Sequence, residues 1–592
     1  MSQSSLESSS LRTRRSFIMV DVIRGFLSGI WYSKTHLFHS YFIVPIGLIV
    51  ILVTLYGLNQ LILEINIKFP ASVLGLLLNL LLLCSLSWLS NLNKPTYIKK
   101  PANWILTNYL GLIKPSMNFT LKWINVFFIP SFIVLPLSSP ITFIECLKIA
   151  GVFVIGMILL ILVDVYFLRL LKLGYGKIGY VIEERDHQEH EDEVELETLS
   201  SGNDDLTTID LTSLVSAKEE DRNQVVTTRS KVISENPFTS STPPSMVDIP
   251  EPSYQRDGSS NMEPQMGRLT RNVSYVEQIS IAEQQEQELL TRMEKVTLFT
   301  IKYIDWILYF ILFVVSLPIY YSGSIHVYLP YHLSITILAY YFALTIPQRF
   351  PVTKKFAHPI LISTGEILFI CFIGSLIDHR GKPEGFLIDL RYYKTGRNYL
   401  NLFNTREYPN WPGCGDVLSS LMDISIVSLS LPMFTHRRDF IKNFWVLFPT
   451  LLVSVVLTFF LYPITCHAIG IEPTRSIGFI GRSVTLALGT PLVTSLGGSV
   501  SLMAVCTILS GIIGVLINEP MFKLLGVPKN DYVVRGVTLG INCGAIATAH
   551  LLNVDPRAAS ISSLSFGVFG TIMVIMASIE AIRELIRSWV GL

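Results

Sequence analysis

Thirteen apolar runs, most of them close to 20 residues, constrain this chain more than any other feature. Four lie near 41–63, 71–90, 119–138 and 143–168. Nine more lie near 303–321, 333–348, 359–377, 417–434, 443–468, 476–495, 499–518, 534–553 and 558–580. About 20 such residues cross the roughly 30 Å hydrocarbon core of a bilayer as a helix. Inside lipid every backbone N–H and C=O needs a partner within the protein, which leaves helices or closed barrels. Runs of this length specify an all-α polytopic membrane protein with the lipid bilayer as its first partner. Only 15% of the residues are charged, against about 25% in a soluble domain. No basic stripe marks a nucleic-acid binder. Seven scattered cysteines without a CxxC pair suggest neither a disulfide framework nor a zinc site.

The runs fall into two blocks separated by different material. Residues 1–40 read as a cytoplasmic N-terminal tail, 41–172 as a four-helix membrane domain, 173–298 as an acidic disordered linker and 299–592 as a second membrane domain. The near-neutral net charge of +1 is a cancellation, because the linker holds 11 Lys/Arg against 25 Asp/Glu. Such a segment cannot bury enough apolar surface to offset its ordering entropy. Basic clusters at Arg12/Arg14/Arg15, Lys94/Lys99/Lys100, Arg169/Lys172, Arg349/Lys354/Lys355, Arg437/Arg438/Lys442, Lys523/Lys529 and Arg583/Arg587 are expected on the cytoplasmic side. They fit if the run at 476–495, interrupted by Gly481, Arg482, Gly489 and Pro491, does not cross. The expectation is about twelve crossings, a broken or re-entrant element near 476–498, and both termini cytoplasmic, in a membrane that the sequence does not name.

Ionisable groups within spans are costly, so each is a functional candidate. The second block holds several, among them Asp305, Glu366, Asp423, Arg482, Arg535, Asn542 and His550, while the first reads as Leu, Ile and Val. Arg482 lies in Gly481-Arg482-Ser483-Val484-Thr485. A guanidinium offers paired donors that match a carboxylate, and the hydroxyls of Ser483, Thr485 and Thr490 complete a polar shell near Gly497-Gly498. The small-residue stretch from Gly536 to His550 permits close packing or an irregular backbone lining a cavity. Within it Asn542 and Thr548 supply hydrogen bonds, and His550 carries charge near neutral pH. Glu366 is a second candidate for proton coupling. Asp416 reads as a helix cap and Arg535 as structural. Without a nucleophile–base pair, metal cluster or phosphate loop, the reading is a non-enzymatic protein without a cofactor.

The motifs are similar to two paired families. Phe69-Pro70-Ala71-Ser72-Val73-Leu74-Gly75 and Phe127-Phe128-Ile129-Pro130-Ser131 resemble signatures of the CidA/LrgA family. In the second block His358-Pro359-Ile360-Leu361-Ile362, Ser430-Leu431-Pro432, Arg482-Ser483-Val484-Thr485, Ser495-Leu496-Gly497-Gly498, Arg535-Gly536 with Gly540 and Thr548-Ala549, and Ser562-Ser563 resemble the CidB/LrgB family. The chain departs from the family pattern at Leu486-Ala487 (Thr-Pro there), Gly544 (His there) and His550 (Arg there). The resemblance implies a fused LrgA-like plus LrgB-like secondary transporter of small carboxylates, 2-hydroxy acids such as glycolate and glycerate. The LrgB-like block would hold the substrate at Arg482, Ser483, Thr485, Thr490, Gly497, Gly498, Asn542, Thr548 and His550, with a proton as candidate co-substrate. The first block would then serve as scaffold. The alternative is a holin-like pore or membrane regulator. A homo-oligomer is compatible with either, and nucleic acid is not a partner.

Overall fold

The computed structural model describes residues 19–65, 69–90, 96–138, 140–177, 291–322, 327–350, 353, 358–378, 384–404, 406–408 and 410–592. Most of the expected tail and acidic linker lies outside the described residues. Residues 19–38 and 291–307 belong to one compact unit, and residues 39–177 and 308–592 to another. In the smaller unit, Arg292–Lys302 begins on a capping box. Thr291 Oγ1 accepts from the Glu294 N–H, and the Glu294 carboxylate accepts from the Thr291 N–H at 2.7 Å. Gly25 and Gly29 let the helix over 19–32 approach Met293, Val296 and Thr300 closely.

In the larger unit the first block supplies α1 (Val44–Glu64), α2 (Ala71–Ser90), α3 (Thr96–Ile133) and α4 (Phe143–Lys177). Ile304–Tyr321 (α5) leads into the second block, followed by α6 (Leu329–Arg349), α7 (Pro359–Asp378) and the short α8 (Glu384–Tyr393). Then come α9 (Cys414–Ser428, continued by Ser430–Thr435), α10 (Arg437–Val456, continued to Ala468), α11 (Val500–Leu524), α12 (Pro556–Ser578) and the amphipathic α13 (Glu580–Val590). Among the described residues no strand occurs, and eleven helices are long and apolar enough to cross a membrane. The protein is an all-α integral membrane protein. The two blocks share one interior. Asn79 donates to Ser430 Oγ at 2.6 Å, Thr120 and Ser428 share a hydroxyl contact of 2.8 Å, and Arg437 donates to Ser87 Oγ at 3.0 Å.

The broken element expected near 476–498 is present. The chain enters as Pro473–Gly478 and Phe479–Gly481, breaks at 482–485, and returns as Leu486–Leu496. Ser499 N–H donates to Thr474 C=O at 2.8 Å, so both ends meet at one face of the bundle. Each arm is about 13–16 Å long at 1.5 Å per residue, half the hydrocarbon thickness.

A second hairpin departs from the expectation. Tyr532–Val554 (expected as a crossing at 534–553) is broken at Gly544, whose φ of 56° and ψ of −143° are not helical. Arg535 near its start lies 3.9 Å from Asp555 just past its end. A straight helix would separate those residues by about 30 Å, so the chain turns back at Gly544. The segment carries Arg535, Asn542, His550 and many glycines, alanines and threonines. A hairpin buried in protein tolerates that composition better than a lipid-facing span.

The bases of the two hairpins are both tied to α4. Lys172 near the end of α4 donates to Asp531 at 2.7 Å, at the base of the second hairpin. Glu145 at the start of α4 pairs with Arg475 at 2.5 Å, at the base of the first. The hairpins therefore enter from opposite faces. Arg583 and Arg587 of α13 line a cavity of about 780 Å³ together with Lys394, Asp416 and Ser495, and Arg587 reaches Gly497. They lie at the face of the first hairpin's base, opposite Lys172, Lys529 and Asp531.

Candidate functional site

The hairpin tips meet inside the bundle. Arg482, in the break of the first hairpin, is fully buried (0% exposed), which rules out a side chain reaching to the membrane rim. Its Nη1 donates to Ser510 Oγ of α11 at 3.1 Å, and its Nη2 approaches Asn542 Oδ1 of the second tip at 3.5 Å. The guanidinium lies 5.3 Å from the Tyr462 ring centroid and 5.9 Å from that of Phe153, within cation–π range. Its Nε has no hydrogen-bond partner, nor do Ser483 Oγ, Thr485 Oγ1 or Thr538 Oγ1, all buried. Buried polar atoms cost free energy unless partnered, so this cluster has donors to offer a ligand.

The countercharge comes from the first block. Asp164 of α4 is 0% exposed and accepts from Asn542 Nδ2 at 2.7 Å and from Ser454 Oγ at 2.5 Å. Asn542 also donates to Thr538 C=O at 3.0 Å, which fixes its amide. Arg482, Asn542 and Asp164 thus form a buried cation–amide–carboxylate series, and α4 serves as a strut. Its Glu145 holds the base of one hairpin, its Asp164 meets both tips through Asn542, and its Lys172 holds the base of the other. Sequence reasoning passed over Asp164, Ser454 and Ser510. The available signal was a lone acid deep in the run at 143–168.

The backbone adds a second feature. Leu486–Leu496 begins at the tip, with Thr485 as N-cap residue and no side-chain cap bond. The second arm of the other hairpin likewise begins at its tip, after Gly544. Two half-helix N-termini, each with free N–H groups and a partial positive charge, face one small region. A Cβ built on Gly544 would sit 3.1 Å from Thr485 Cγ2, so glycine permits this approach. Between the tips is a cavity of about 50 Å³ lined in part by Thr485, Ala487, Gly544, Ile546 and Asn125 of α3. Arg, free hydroxyls and two helix N-termini are an anion-binding set.

The other expected site residues lie elsewhere. Thr490 bonds back to Leu486 C=O at 2.8 Å and lines the larger cavity. Gly497, in left-handed conformation at φ 78°, and Gly498, against Ile477 and Val493, close the base of the first hairpin rather than its tip. Thr548 bonds to Gly544 C=O at 3.0 Å and Ser562 Oγ at 2.7 Å, a structural tie between the second hairpin and α12. His550 lies beside Glu519 and Arg535 near the base of that hairpin. Arg535 pairs with Glu519 and donates to Lys529 C=O at 3.1 Å, anchoring the same base. Glu366 is partly buried on α7 and makes no contact with the tips. Asp416 is the third residue of α9 and caps it from there, its carboxylate accepting from the N–H of the N-cap residue Gly413. Its carboxylate accepts from the backbone N–H groups of Gly413, Thr395 and Gly396 at 2.8–2.9 Å, tying the preceding loop down.

Two hairpins whose tips meet around a buried charged series, set among eleven long apolar helices, define a polytopic membrane protein. Residues 336–581, which contain both hairpins, match the LrgB-like family. The chain is 24% identical over 266 residues to the plastidal glycolate/glycerate translocator 1 of Arabidopsis thaliana, covering 44% of this chain and 48% of that protein. It is 24% identical over 230 residues to the holin-like protein CidB of Staphylococcus aureus, covering 39% of this chain and 86% of that protein. The chain thus spans about half the length of the plant relative. These relatives are a transporter and holin-like membrane proteins, not enzymes. No solved structure matches.

Proposed function

We propose that this protein is a secondary transporter of small carboxylates, 2-hydroxy acids such as glycolate and glycerate foremost, with the substrate carboxylate held between the hairpin tips. The observation that carries this reading is the meeting of two half-helix N-termini at one small cavity, with the buried Arg482 in the same hairpin break as Thr485, which lines it. Thr485 lines that cavity, and the buried hydroxyls of Ser483 and Thr538 are further unpartnered groups on the two hairpins. The plant relative's name supports the substrate class.

Arg482 and Asp164 together leave the tips neutral. An entering carboxylate adds a negative charge to a low-dielectric site, where an uncompensated charge is costly. A proton taken up by Asp164 restores neutrality and leaves Arg482 free to pair with the substrate. Asp164 is the proton-coupling group in this reading, in place of Glu366 and His550. The opposed hairpins favour alternating access, in which one tip and then the other unseals. The basic residues Arg437, Lys523, Lys529 and Lys172 support a cytoplasmic assignment for the face at the second hairpin's base. α13 then lies on the opposite side.

The test is uptake of labelled glycolate, glycerate and lactate into proteoliposomes at two pH values. Saturable uptake that rises with an inward proton gradient supports the reading. The CidB relatives favour a pore as the second reading, and non-saturable leakage of an unrelated dye through the same vesicles would establish that instead.

A further inference from the structure

Away from the hairpin tips, three side chains from three helices converge in a buried pocket of the larger unit. His332 stands near the start of α6, Cys371 in the last third of α7 and Asp389 on α8. One donor atom from each lies within 4.8 Å of the others, and the residues are 1%, 1% and 5% exposed. His332 Nε2 lies 3.2 Å from Asp389 Oδ1, yet neither imidazole nitrogen has a hydrogen-bond partner, and Asp389 Oδ2 has none either. The three donor atoms stand close enough to share one ion. Tyr320 Oη donates to Asp389 Oδ1 at 2.5 Å, an outer contact that orients the carboxylate.

We propose that His332, Cys371 and Asp389 bind a zinc ion. The donor set of one imidazole, one thiolate and one carboxylate is suited to Zn2+, which accepts N, S and O ligands in tetrahedral geometry. Ligand atoms about 2.0–2.3 Å from a common centre stand roughly 3.3–3.8 Å apart, compatible with this grouping after small rotamer adjustments. The charges also balance. Thiolate plus carboxylate neutralise the dication, so a buried site need not hold net charge. Binding releases the Cys371 thiol proton.

The site would act as a clamp. With ten residues, α8 is short for an isolated helix, and the ion would tie it to α6 and α7. Lys394, directly after α8, lines the cavity of about 780 Å³ beside Asp416. The clamp would therefore hold one wall of that vestibule.

The test uses the full chain purified in detergent. Elemental analysis after exposure to Zn2+ and gel filtration is expected to give about one zinc per chain. Co2+ in its place is expected to show the thiolate-to-metal charge-transfer absorption of a tetrahedral site. Cys371→Ser is expected to lose that absorption and to weaken Zn2+ binding at least about tenfold, with Cys414→Ser as the control that retains both. If the wild-type chain takes up no zinc and shows no cobalt–thiolate band, or if Cys371→Ser binds both metals as the parent does, the proposal is overturned. His332 and Asp389 are then a buried polar contact without a metal.

Discussion

Asn542 donates its side-chain amide to Asp164 across 2.7 Å, and this bond joins the tip of the second hairpin to the first membrane block. The same amide's oxygen faces Arg482, so a single Asn mediates between the buried cation and the buried anion. The first block is thus part of the site, beyond the scaffold role that its Leu-, Ile- and Val-rich helices suggest.

Replacing Arg482 removes the only cation bonded to this cluster among the described residues and leaves Asp164 uncompensated. Breaking a buried charge pair costs about 3–5 kcal/mol. Arg482→Ala is expected to lower the melting temperature and abolish glycolate uptake. Arg482→Lys is expected to recover stability more than uptake, because an ammonium cannot reproduce the paired donors. Transport at the parent rate in a folded Arg482→Ala would remove Arg482 from the site.

Asp164→Asn keeps the shape and the hydrogen-bonding capacity but fixes the position as neutral. The expected outcome is retained substrate exchange with loss of acceleration by an inward proton gradient. Counterflow and gradient-driven uptake, measured on the same vesicles, separate the two. A variant that still responds fully to the gradient would return proton coupling to Glu366 or His550.

Gly544 has φ 56°, and an added Cβ would press on Thr485 Cγ2. Gly544→Ala is expected to cost about 1–3 kcal/mol and to slow transport by separating the tips. Ala547→Gly, three residues on in the buried second arm, is the comparison that alters helix propensity without a clash, by about 1 kcal/mol.

The Glu145–Arg475 pair ties α4 to the base of the first hairpin, with both side chains largely buried. Glu145→Gln is expected to destabilise the protein by about 1–3 kcal/mol, below the value for a fully enclosed pair. The exchange Glu145→Arg with Arg475→Glu is expected to recover part of that loss, read as thermal melting in detergent.

The separate attachment of the two hairpin bases to the two ends of α4 makes a prediction about sidedness. In a background where exposed Cys146 is replaced by Ser, cysteine introduced at Asn530 and at Ser588 is expected to react with a membrane-impermeant thiol reagent from opposite sides. Labelling of both from one side would overturn the placement of the two hairpin bases at opposite faces.

Much of this was legible from local chemistry. Hydrophobicity sums over neighbours in the chain, so the apolar runs announced the spans. Gly481, Arg482, Gly489 and Pro491 announced the break that became the first hairpin. The Arg482-Ser483-Val484-Thr485 motif stands at its tip. The second hairpin was harder to see, because small residues serve close packing and backbone reversal equally well, and only the Arg535–Asp555 approach distinguishes them.

The sequence by itself determined that the chain is helical, that it lives in a membrane and where its charge is concentrated. Tertiary structure alone decided which polar groups meet. Asp164 and Asn542 are 378 positions apart, and His332, Cys371 and Asp389 come from three separate helices. No spacing rule along the chain connects such residues. They come together because the cost of leaving polar groups in a low-dielectric interior is met only by partners that packing brings from distant segments.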